Sequence, residues 1–550
     1  MPRTLLRQDR SLNVHKKKAL VLGFIALLWI NMPYLVGWLV SNSSDDCSFG
    51  GFFIFEQDGF SYLAKMRQGA KGNWLFHLPY TTEPHQGALL YVFYLTVGKA
   101  ARLVGIPLIN AYHITRLLGS GLLLAAGARF ITHFATSRWR LLSWGLLLLG
   151  GDAGWLVTLF NPRYIAYASV TPDAFLYSVL FGPPHIIIAL AILLWLLQKV
   201  LQQIESPAQN IRWNIWLLLM PGGLLMALAR PEYVAVLLSV LGAYWLALLL
   251  TRRKFPIREA LLFSGTAFPG TIYALYVFYI SKANPVIAAW TTQNPFYTPP
   301  LVNLLAGIGP LLLPGLLGVI SGRWWQDEKR LLLVAWAVAL PIMLYLPLSL
   351  NRRLVGGAHF ALTLPAGYWL DKQLLPWLQG AQWRRVIVGP LTALAALILI
   401  SYPLLFSLGA AGFVASRPDQ LFLSANERDA LAWLAEHGEG AIILSAEQTG
   451  NHIPAFSNAT PVLGHPIETL SVEQKRADVA RFYTTDASPA ERQATLAHYG
   501  VNYVWFGPAE RALGSFDPAG VDGIQLVFQQ EQEQIWATGI PISTGDARDR

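Results

Sequence analysis

Long apolar runs alternate with short polar clusters up to about residue 410. Several windows, such as residues 19–40 and 176–198, contain no Asp, Glu, Lys or Arg over about 20 positions. A helix of about 20 apolar residues can cross a hydrocarbon core of about 30 Å. Because backbone groups in lipid are satisfied only within helices or closed barrels, these runs predict an α-helical polytopic membrane protein.

The runs predict about eleven transmembrane helices, at residues 18–40, 108–134, 139–160, 184–204, 213–229, 232–251, 257–280, 301–321, 330–350, 355–371 and 386–408. Lys and Arg are enriched in cytoplasmic loops. The loops assigned to that side hold Arg138 and Arg140, Arg212, residues 252–254, Arg323 with Lys329 and Arg330, and Arg384 with Arg385. The N-terminus is therefore predicted in the cytoplasm and the C-terminus outside.

Residues 87–105 are apolar but carry Lys99 and Arg102, which lie about one helical turn apart. They predict a helix that lies in the membrane interface with both charges among the lipid headgroups. If this segment crossed the membrane, every later loop would change sides. The first extracytoplasmic loop is thus predicted to be long, at residues 41–110, with a second interfacial helix at residues 58–68.

The character of the sequence changes at about residue 411, where charged residues become frequent. Strand-like runs at 441–444 and 501–506 are interspersed with helical runs at 427–436 and 472–482. We therefore expect a transmembrane domain at residues 1–410 and a small extracytoplasmic α/β domain at residues 411–550, an ordinary domain size.

The composition fits this picture, with 54% hydrophobic and 13% charged residues, against about 25% charged in ordinary soluble domains. The net charge is +9, but the basic residues form short clusters between apolar runs rather than one basic face, so no nucleic-acid partner is expected. Cys47 is the single cysteine, which excludes an internal disulfide and a metal cluster held by thiolates alone.

Polar residues near the predicted outer membrane surface are the candidates for function, because ionisable groups are costly there. Asp58 opens the predicted interfacial helix, either as a helix cap or as a catalytic carboxylate. Glu83 and His85 offer oxygen and nitrogen ligands to a divalent metal, or belong to a plain polar loop. Asp173, in the second outer loop, is either a cap or an active-site acid.

Further candidates flank the later spans. Arg230 and Glu232 lie at membrane level and form either a structural ion pair or part of a binding site. Arg352 and Arg353 are two adjacent arginines on the predicted outer side, where guanidinium groups would bind a phosphate or pyrophosphate or anchor the chain to headgroups. The remaining candidates for substrate binding are Arg116, His185 and His359.

At this point the pattern resembles the GT-C superfamily of membrane glycosyltransferases, which includes protein O-mannosyltransferases, the aminoarabinose transferase that modifies lipid A and oligosaccharyltransferase catalytic subunits. The matching residues are Asp58-Gly59-Phe60-Ser61-Tyr62-Leu63, Gly69, Trp74, Tyr80, Glu83, the 87–105 helix and Asp173. The resemblance covers roughly residues 15–370 as architecture.

The resemblance implies a sugar donor linked to polyprenyl phosphate and an extracytoplasmic glycan, lipid or protein acceptor, at a bacterial inner membrane. Carried over by motif, Asp58 is the base on the acceptor hydroxyl, and Asp173 or Glu83 helps to hold the acceptor or a divalent metal such as Mg, Mn or Zn. The chain departs from family patterns in having a lone Asp58 followed by Gly59. Trp324-Trp325 is followed by Gln326 rather than Asp, so protein N-glycosylation is not expected.

Two other functions remain open from the residues. A flippase or transporter of lipid-linked sugars would show charges in mid-span and internally repeated halves, and neither is clear in the sequence. A non-catalytic scaffold for envelope assembly would use the C-terminal domain as a binding module and would not need the first-loop carboxylates.

Overall fold

The computed structural model describes residues 2–42, 46–161, 163–206, 211, 213–521 and 523–542. Arg212, assigned above to a cytoplasmic loop, lies outside these residues. The chain forms two compact units. The first unit contains residues up to 32, 115–276 and 296–409, and the second contains residues 33–114, 277–295 and the described residues from 410 onward.

Seven helices in the described part of the chain are long and apolar enough to cross a membrane: Val21–Ser41 within a longer helix Pro2–Ser41, Leu108–Phe134, Pro184–Ile204, Glu232–Arg252, Ile257–Ala283, Leu301–Ser321 and Gln382–Ala415. Shorter helices accompany them: Ser137–Leu149, Trp155–Thr158, Tyr167–Val170, Leu176–Phe181, Trp216–Ala229, Pro285–Gln293, Glu328–Tyr345, Ala358–Trp369 and Leu375–Gln379. The polytopic helical fold predicted from the sequence is confirmed.

The prediction of one continuous helix at residues 139–160 is wrong. The helix over residues 139–160 ends at Leu149, and only the short helix Trp155–Thr158 follows. Asp152 explains the break, because its buried carboxylate accepts hydrogen bonds from the backbone N–H groups of Gly154 (2.7 Å) and Ala168 (2.6 Å). A carboxylate that bonds nearby backbone groups offers the chain an alternative to the helix.

Two helices shape the first long loop. We name Glu56–Ala70 the first loop helix and Val92–Val104 the second loop helix. The second has 13 residues and is therefore about 20 Å long, too short for a hydrocarbon core of about 30 Å. The segment at residues 87–105 accordingly forms no transmembrane helix, as the charge pattern predicts.

Glycines let the two loop helices approach closely. A Cβ at Gly69 would overlap the backbone of Leu95, and one at Gly98 would overlap the backbone of Met66. Arg102 donates to the carbonyl of Ala70 (2.8 Å), at the end of the first loop helix. Basic side chains can bond the last carbonyls of a helix, and this contact joins the two loop helices into one element.

Seven strands complete the described part of the second unit. Strand β1 (Cys47–Phe49) pairs antiparallel with β2 (Phe422–Ser424). The other strands are β3 (Ile442–Leu444), β4 (Thr460–Pro461), β5 (Tyr503–Phe506), β6 (Gln525–Gln530) and β7 (Glu533–Ala537). They form one sheet in the order β4-β3-β5-β7-β6, with β3 parallel to β4 and β5, and β7 antiparallel to β5 and β6.

The helices of the C-terminal segment are Ala425–His437, Glu447–Phe456, Val472–Phe482, Pro489–Tyr499 and Pro508–Arg511. The α/β character expected from residue 411 onward is thus present. The core of the second unit contains Phe60 and Met66 of the first loop helix together with Leu431, Ile443 and Trp505. The first loop therefore shares its core with the C-terminal segment.

Candidate active site

The first loop helix carries Asp58 in its opening turn. This helix begins at Glu56, and its N-cap residue is Phe55, whose side chain cannot accept a hydrogen bond. Asp58 is therefore not the N-cap, although the helix dipole favours an acid at its position. Gly59 follows because the ring of Phe52 fills the space that a Cβ would need. The Asp58 side chain is 41% exposed, so a substrate can reach it.

His465 contacts Asp58 from the C-terminal segment. Its Nε2 lies 3.3 Å from Asp58 Oδ1. The imidazole is buried, and its Nδ1 accepts hydrogen bonds from the backbone N–H groups of Ile467 (3.1 Å) and Glu468 (3.3 Å). The contact does not meet full hydrogen-bond geometry at Nε2, so the interaction with Asp58 is primarily electrostatic.

A buried ion pair lies about two helical turns further along the first loop helix. Lys65 Nζ is 2.7 Å from Glu468 Oε1, and Ser61 Oγ donates to the same oxygen at 2.5 Å. Burial acts to raise the pKa of Glu468, but the charge of Lys65, the nearby His465 and the hydrogen bonds from Lys65 and Ser61 together outweigh burial and hold the pKa below its usual value. The Lys65 ammonium also lies 4.4 Å from the ring centroid of Tyr91, a cation–π contact.

Tyr80 is also close to these charges. Its hydroxyl donates to the carbonyl of Asn451 at 3.0 Å. Burial raises the pKa of Tyr80 well above its usual value, and the charges of Glu468 and Asp58 raise it further. Tyr80 therefore stays neutral and serves as a hydrogen-bond donor beside the two carboxylates.

Glu83 forms an ion pair with Lys475, whose ammonium is almost completely buried. The Nζ–carboxylate distance is 2.9 Å, and the Thr81 hydroxyl donates to the same carboxylate. Burial acts to raise the pKa of Glu83, but the charge of Lys475 and the hydrogen bonds to the carboxylate, among them those from Thr81 and Lys475, together outweigh burial and lower the pKa. Burial lowers the pKa of Lys475, and Glu83 partly offsets this effect.

The donor set suggested for a divalent metal is already occupied by protein groups. His85 Nε2 accepts from the backbone N–H of Leu78 (2.9 Å), and Nδ1 lies 2.8 Å from the carbonyl of Glu83. Within the described residues, no three His, Cys, Asp or Glu side chains gather as metal ligands. Glu83 and His85 thus do not fit a metal site, and we derive no step through a metal.

In the first unit, the structure brings Asp173 and Arg230 together as a buried ion pair. Asp173 belongs to a short 3-10 turn, Pro172–Ala174, and Arg230 follows the helix Trp216–Ala229. A buried pair of opposite charges is a weak indicator of stability and commonly marks a specific arrangement. Helix capping is therefore not the whole role of Asp173, because its carboxylate binds the guanidinium of Arg230.

The two adjacent arginines differ in their partners. Arg353 forms an ion pair with Glu232 at 2.6 Å and lies 4.0 Å from the ring centroid of Phe296. The Arg352 guanidinium lies 5.2 Å from the same centroid and within electrostatic range of Asp173. Because Glu232 neutralises Arg353, Arg352 is the better candidate for binding an anion.

The remaining predicted residues of the first unit are held by helices. His359 is buried, and its Nδ1 accepts from the backbone N–H of Leu176 at 3.3 Å. Arg116 is buried and donates to the carbonyl of Leu180 (3.4 Å) and to Asn31 Oδ1 (2.5 Å). His185 is the second residue of the helix Pro184–Ile204 and is half-buried.

Sequence reasoning missed the C-terminal partners of the first loop. The run from Gly464 to Thr469 was noticeable as Gly-His-Pro-Ile-Glu-Thr, but nothing in it indicated that His465 and Glu468 face the first loop. Asp58 and Lys65 are seven positions apart, which places them on one helical face. That spacing could have revealed the polar face, although not its partners.

Comparison with known protein families and with curated protein sequences gives no match. Comparison with solved structures finds the oligosaccharyltransferase of Archaeoglobus fulgidus tethered to an acceptor peptide, with a TM-score of 0.54, 14% identity and coverage of 89% of this chain and 69% of the other. The archaeal oligosaccharyltransferase AglB from the same organism, in complex with an inhibitory peptide and a dolichol-phosphate, gives a TM-score of 0.50, 13% identity and coverages of 96% and 75%.

The arabinofuranosyltransferase AftD from Mycobacteria gives a TM-score of 0.53 at 14% identity, over 96% of this chain and 42% of that chain. These neighbours are all GT-C proteins. The chain has a GT-C fold. The predicted resemblance is therefore confirmed at the level of the fold, and the match extends beyond residues 15–370 to nearly the whole chain.

In this GT-C fold the long first loop holds two helices, and Asp58 lies at the start of the first. The apolar helices together with the GT-C fold make the chain an integral membrane protein. Of the predicted site residues, the second unit contains Asp58, Glu83 and His85, and the first unit contains Arg116, Asp173, His185, Arg230, Glu232, Arg352, Arg353 and His359.

Proposed function

We propose that the chain is a glycosyltransferase that moves a sugar from a polyprenyl-phosphate carrier to an extracytoplasmic glycan, lipid or protein. The main support for this proposal is the position of Asp58, whose half-exposed carboxylate lies in the opening turn of the first loop helix of a GT-C fold. The neighbour that binds dolichol-phosphate supports the class of donor. The acceptor class follows from the predicted position of the first loop outside the cytoplasm.

In the proposed reaction Asp58 is the general base. The acceptor hydroxyl gives its proton to the Asp58 carboxylate while its oxygen bonds to the anomeric carbon. The bond between that carbon and the phosphate oxygen breaks, and the lipid phosphate leaves with the electron pair, with inversion at the sugar. General-base assistance of this kind contributes about 10²- to 10⁴-fold to a rate.

Arg352 is proposed to bind the phosphate of the donor. The leaving phosphate gains negative charge in the transition state, and a guanidinium stabilises this charge best where water is excluded. Arg353 supports the arrangement from its ion pair with Glu232. The pair formed by Asp173 and Arg230 belongs to the same unit and is proposed to shape the binding site around Arg352.

The first experiment identifies the donor. Mass spectrometry of lipid that co-purifies with the protein names the carrier and sugar, and a transfer assay then uses that lipid. We expect Asp58→Asn to lower transfer by about 10²-fold or more. Glu56→Gln is the matched control, because Glu56 is an acid in the same helical turn.

If Asp58 only interacts with the helix dipole, the two variants will lose similar, small amounts of stability and both will keep transfer. Folded Asp58→Asn protein with full transfer would remove Asp58 as the base. If Asp58→Asn protein has lost transfer and still fully complements a deletion strain, a scaffold is favoured instead, and lipid translocation by the wild type without transfer would favour a flippase.

The proposed location is the bacterial inner membrane, with the N-terminus in the cytoplasm and the C-terminal segment outside. Reporter fusions placed in the three loops that hold Asp58, Asp173 and Arg352 test this orientation. The proposed reaction requires Asp58, Asp173 and Arg352 on the extracytoplasmic side. A cytoplasmic signal from any of the three loops would contradict it.

A further inference from the structure

The C-terminal segment contacts Asp58 through the side chain of His465. Its imidazole is buried, whereas the Asp58 carboxylate is partly open to solvent. A buried donor that contacts a partly exposed acceptor can fix the direction of the acceptor without blocking it. The contact uses Nε2 of the histidine and Oδ1 of the aspartate.

The backbone around His465 determines which ring nitrogen carries the proton. Nδ1 accepts hydrogen bonds from two backbone N–H groups, those of Ile467 and Glu468. A backbone N–H can only donate, so Nδ1 carries no proton. In a neutral imidazole the proton is then on Nε2, the atom that faces Asp58. A doubly protonated ring would bring an Nδ1 proton against two backbone donors.

The loop that holds His465 is itself fixed in place. Thr469 Oγ1 accepts from the backbone N–H of Gly464 at 3.2 Å, which closes the loop across its ends. Glu468 is anchored to the first loop helix by Lys65 and Ser61. The loop and the helix that carries Asp58 are therefore tied together at a second point, about one to two helical turns from the contact between His465 and Asp58.

We propose that His465, as the neutral Nε2–H tautomer, is a positioning residue that orients the Asp58 carboxylate toward the acceptor hydroxyl. The proposal rests on the proposed function of Asp58. During transfer the acceptor proton passes to Asp58, and His465 keeps its own proton throughout. The C-terminal segment thus contributes to the reaction although none of its side chains needs to touch the sugar.

Two substitutions separate positioning from loop structure, because they predict opposite results. His465→Asn keeps an acceptor where Nδ1 was but is too short to reach Asp58. His465→Gln extends an amide N–H to the position of Nε2 but has no acceptor at the position of Nδ1. If His465 positions Asp58, Gln retains the rate and Asn loses it. If His465 only holds the loop, Asn retains the rate and Gln loses it.

The probe is the donor lipid that co-purifies with the protein, discharged by added envelope extract and followed by mass spectrometry. For His465→Asn we expect the rate at saturating extract to fall by about 10²-fold, the scale of an effect from misplacing a reacting group by 1 Å, with the half-saturating amount unchanged. His465→Gln should stay within about threefold of the wild type. Equal losses in both variants, or a loss in Gln alone, overturn the proposal.

A spectroscopic measurement keeps this inference separate from the proposed function. Protein labelled with ¹⁵N-histidine in proteoliposomes is examined by solid-state NMR, and His465 is assigned by difference from His465→Asn. We expect the neutral Nε2–H pattern at pH 7 and a shift of Nε2 in Asp58→Asn. An Nδ1–H pattern, or no response to Asp58→Asn, overturns the positioning role even if Asp58 proves to be the base. If the spectra show the expected Nε2–H pattern and its response, but the Asp58→Asn variant is fully active in transfer, only the proposed function is contradicted.

Discussion

A buried carboxylate in the C-terminal sheet makes the stability of the second unit depend on pH. Glu533, the first residue of β7, is 4% exposed and accepts a hydrogen bond from Trp505 Nε1 at 2.7 Å. Burial raises the pKa of Glu533 to about 7, helped by the charges of Glu510 and Glu427. The folded unit therefore prefers the protonated form of Glu533.

The sign and size of the effect follow from this preference. The ordinary pKa is 4.5 and the folded value is about 7, so the contribution is complete below pH 4.5 and is lost as the pH rises through 7. Since one pKa unit is worth about 1.36 kcal/mol, protonation of Glu533 contributes about 3 kcal/mol to the stability of the folded unit at pH 4, about 1.4 kcal/mol at pH 6 and almost nothing at pH 8. Glu533→Gln mimics the protonated form at every pH.

The assay is pulse proteolysis of the purified protein in urea, with peptides from β5 and β7 quantified by mass spectrometry between pH 4 and 8.5. We expect Glu533→Gln to match the wild type at pH 4 and to be more stable by about 3 kcal/mol at pH 8. Glu531→Gln is the control, since Glu531 lies exposed in the turn of the same hairpin. A wild-type profile that is flat between pH 5 and 8, or equal stability of Glu533→Gln and wild type at pH 8, would refute the reasoning.

Two further predictions concern ion pairs of the first loop, and the same proteolysis assay measures both. Lys65→Met leaves Glu468 buried without its cation and should lower the free energy of unfolding by about 3–5 kcal/mol. The double variant Lys65→Met with Glu468→Leu should recover most of this loss. Stability of Lys65→Met within about 0.5 kcal/mol of the wild type would contradict a buried pair. Glu83→Gln should cost about 1 kcal/mol at pH 7, a value reduced because Glu83 is partly exposed. Since the pKa of Glu83 is lowered in the fold, this difference should vanish as the pH falls below the folded pKa, and a constant difference down to pH 3 would contradict the pairing with Lys475.

The apolar pattern predicted most of the helical fold, because length and hydropathy decide where a helix can cross a membrane. It also separated residues 87–105 from the helices long enough to span a membrane, since Lys99 and Arg102 would be costly in mid-membrane. The break after Leu149 was missed. Its cause is Asp152, and a lone acid beside Gly150 and Gly151 does not reveal from the sequence that it will accept backbone hydrogen bonds from Ala168, sixteen positions away.

The candidate site was predicted only in part. Asp58 was identified from a short motif, and its position in the first helical turn agrees with that motif. The partners of Asp58 and Lys65 could not be found, because His465 and Glu468 are about 400 positions away and periodicity carries no information about such pairings. Glu83 and His85 suited a metal by residue type, but side chains of the right chemistry do not show whether protein groups already bind them.

The pairing of the first loop with the C-terminal segment has a consequence for biosynthesis. Strand β1 pairs with β2, and Lys65 with Glu468, across gaps of more than 370 residues. A chain emerging from the ribosome therefore holds an exposed ammonium and an unmatched strand edge until Phe422–Ser424 and Glu468 have been synthesised, and contacts this distant in sequence form late. A nascent chain, or one terminated before His465 and Glu468, cannot assemble the environment of Asp58, so competence for chemistry would appear only after that segment has been made.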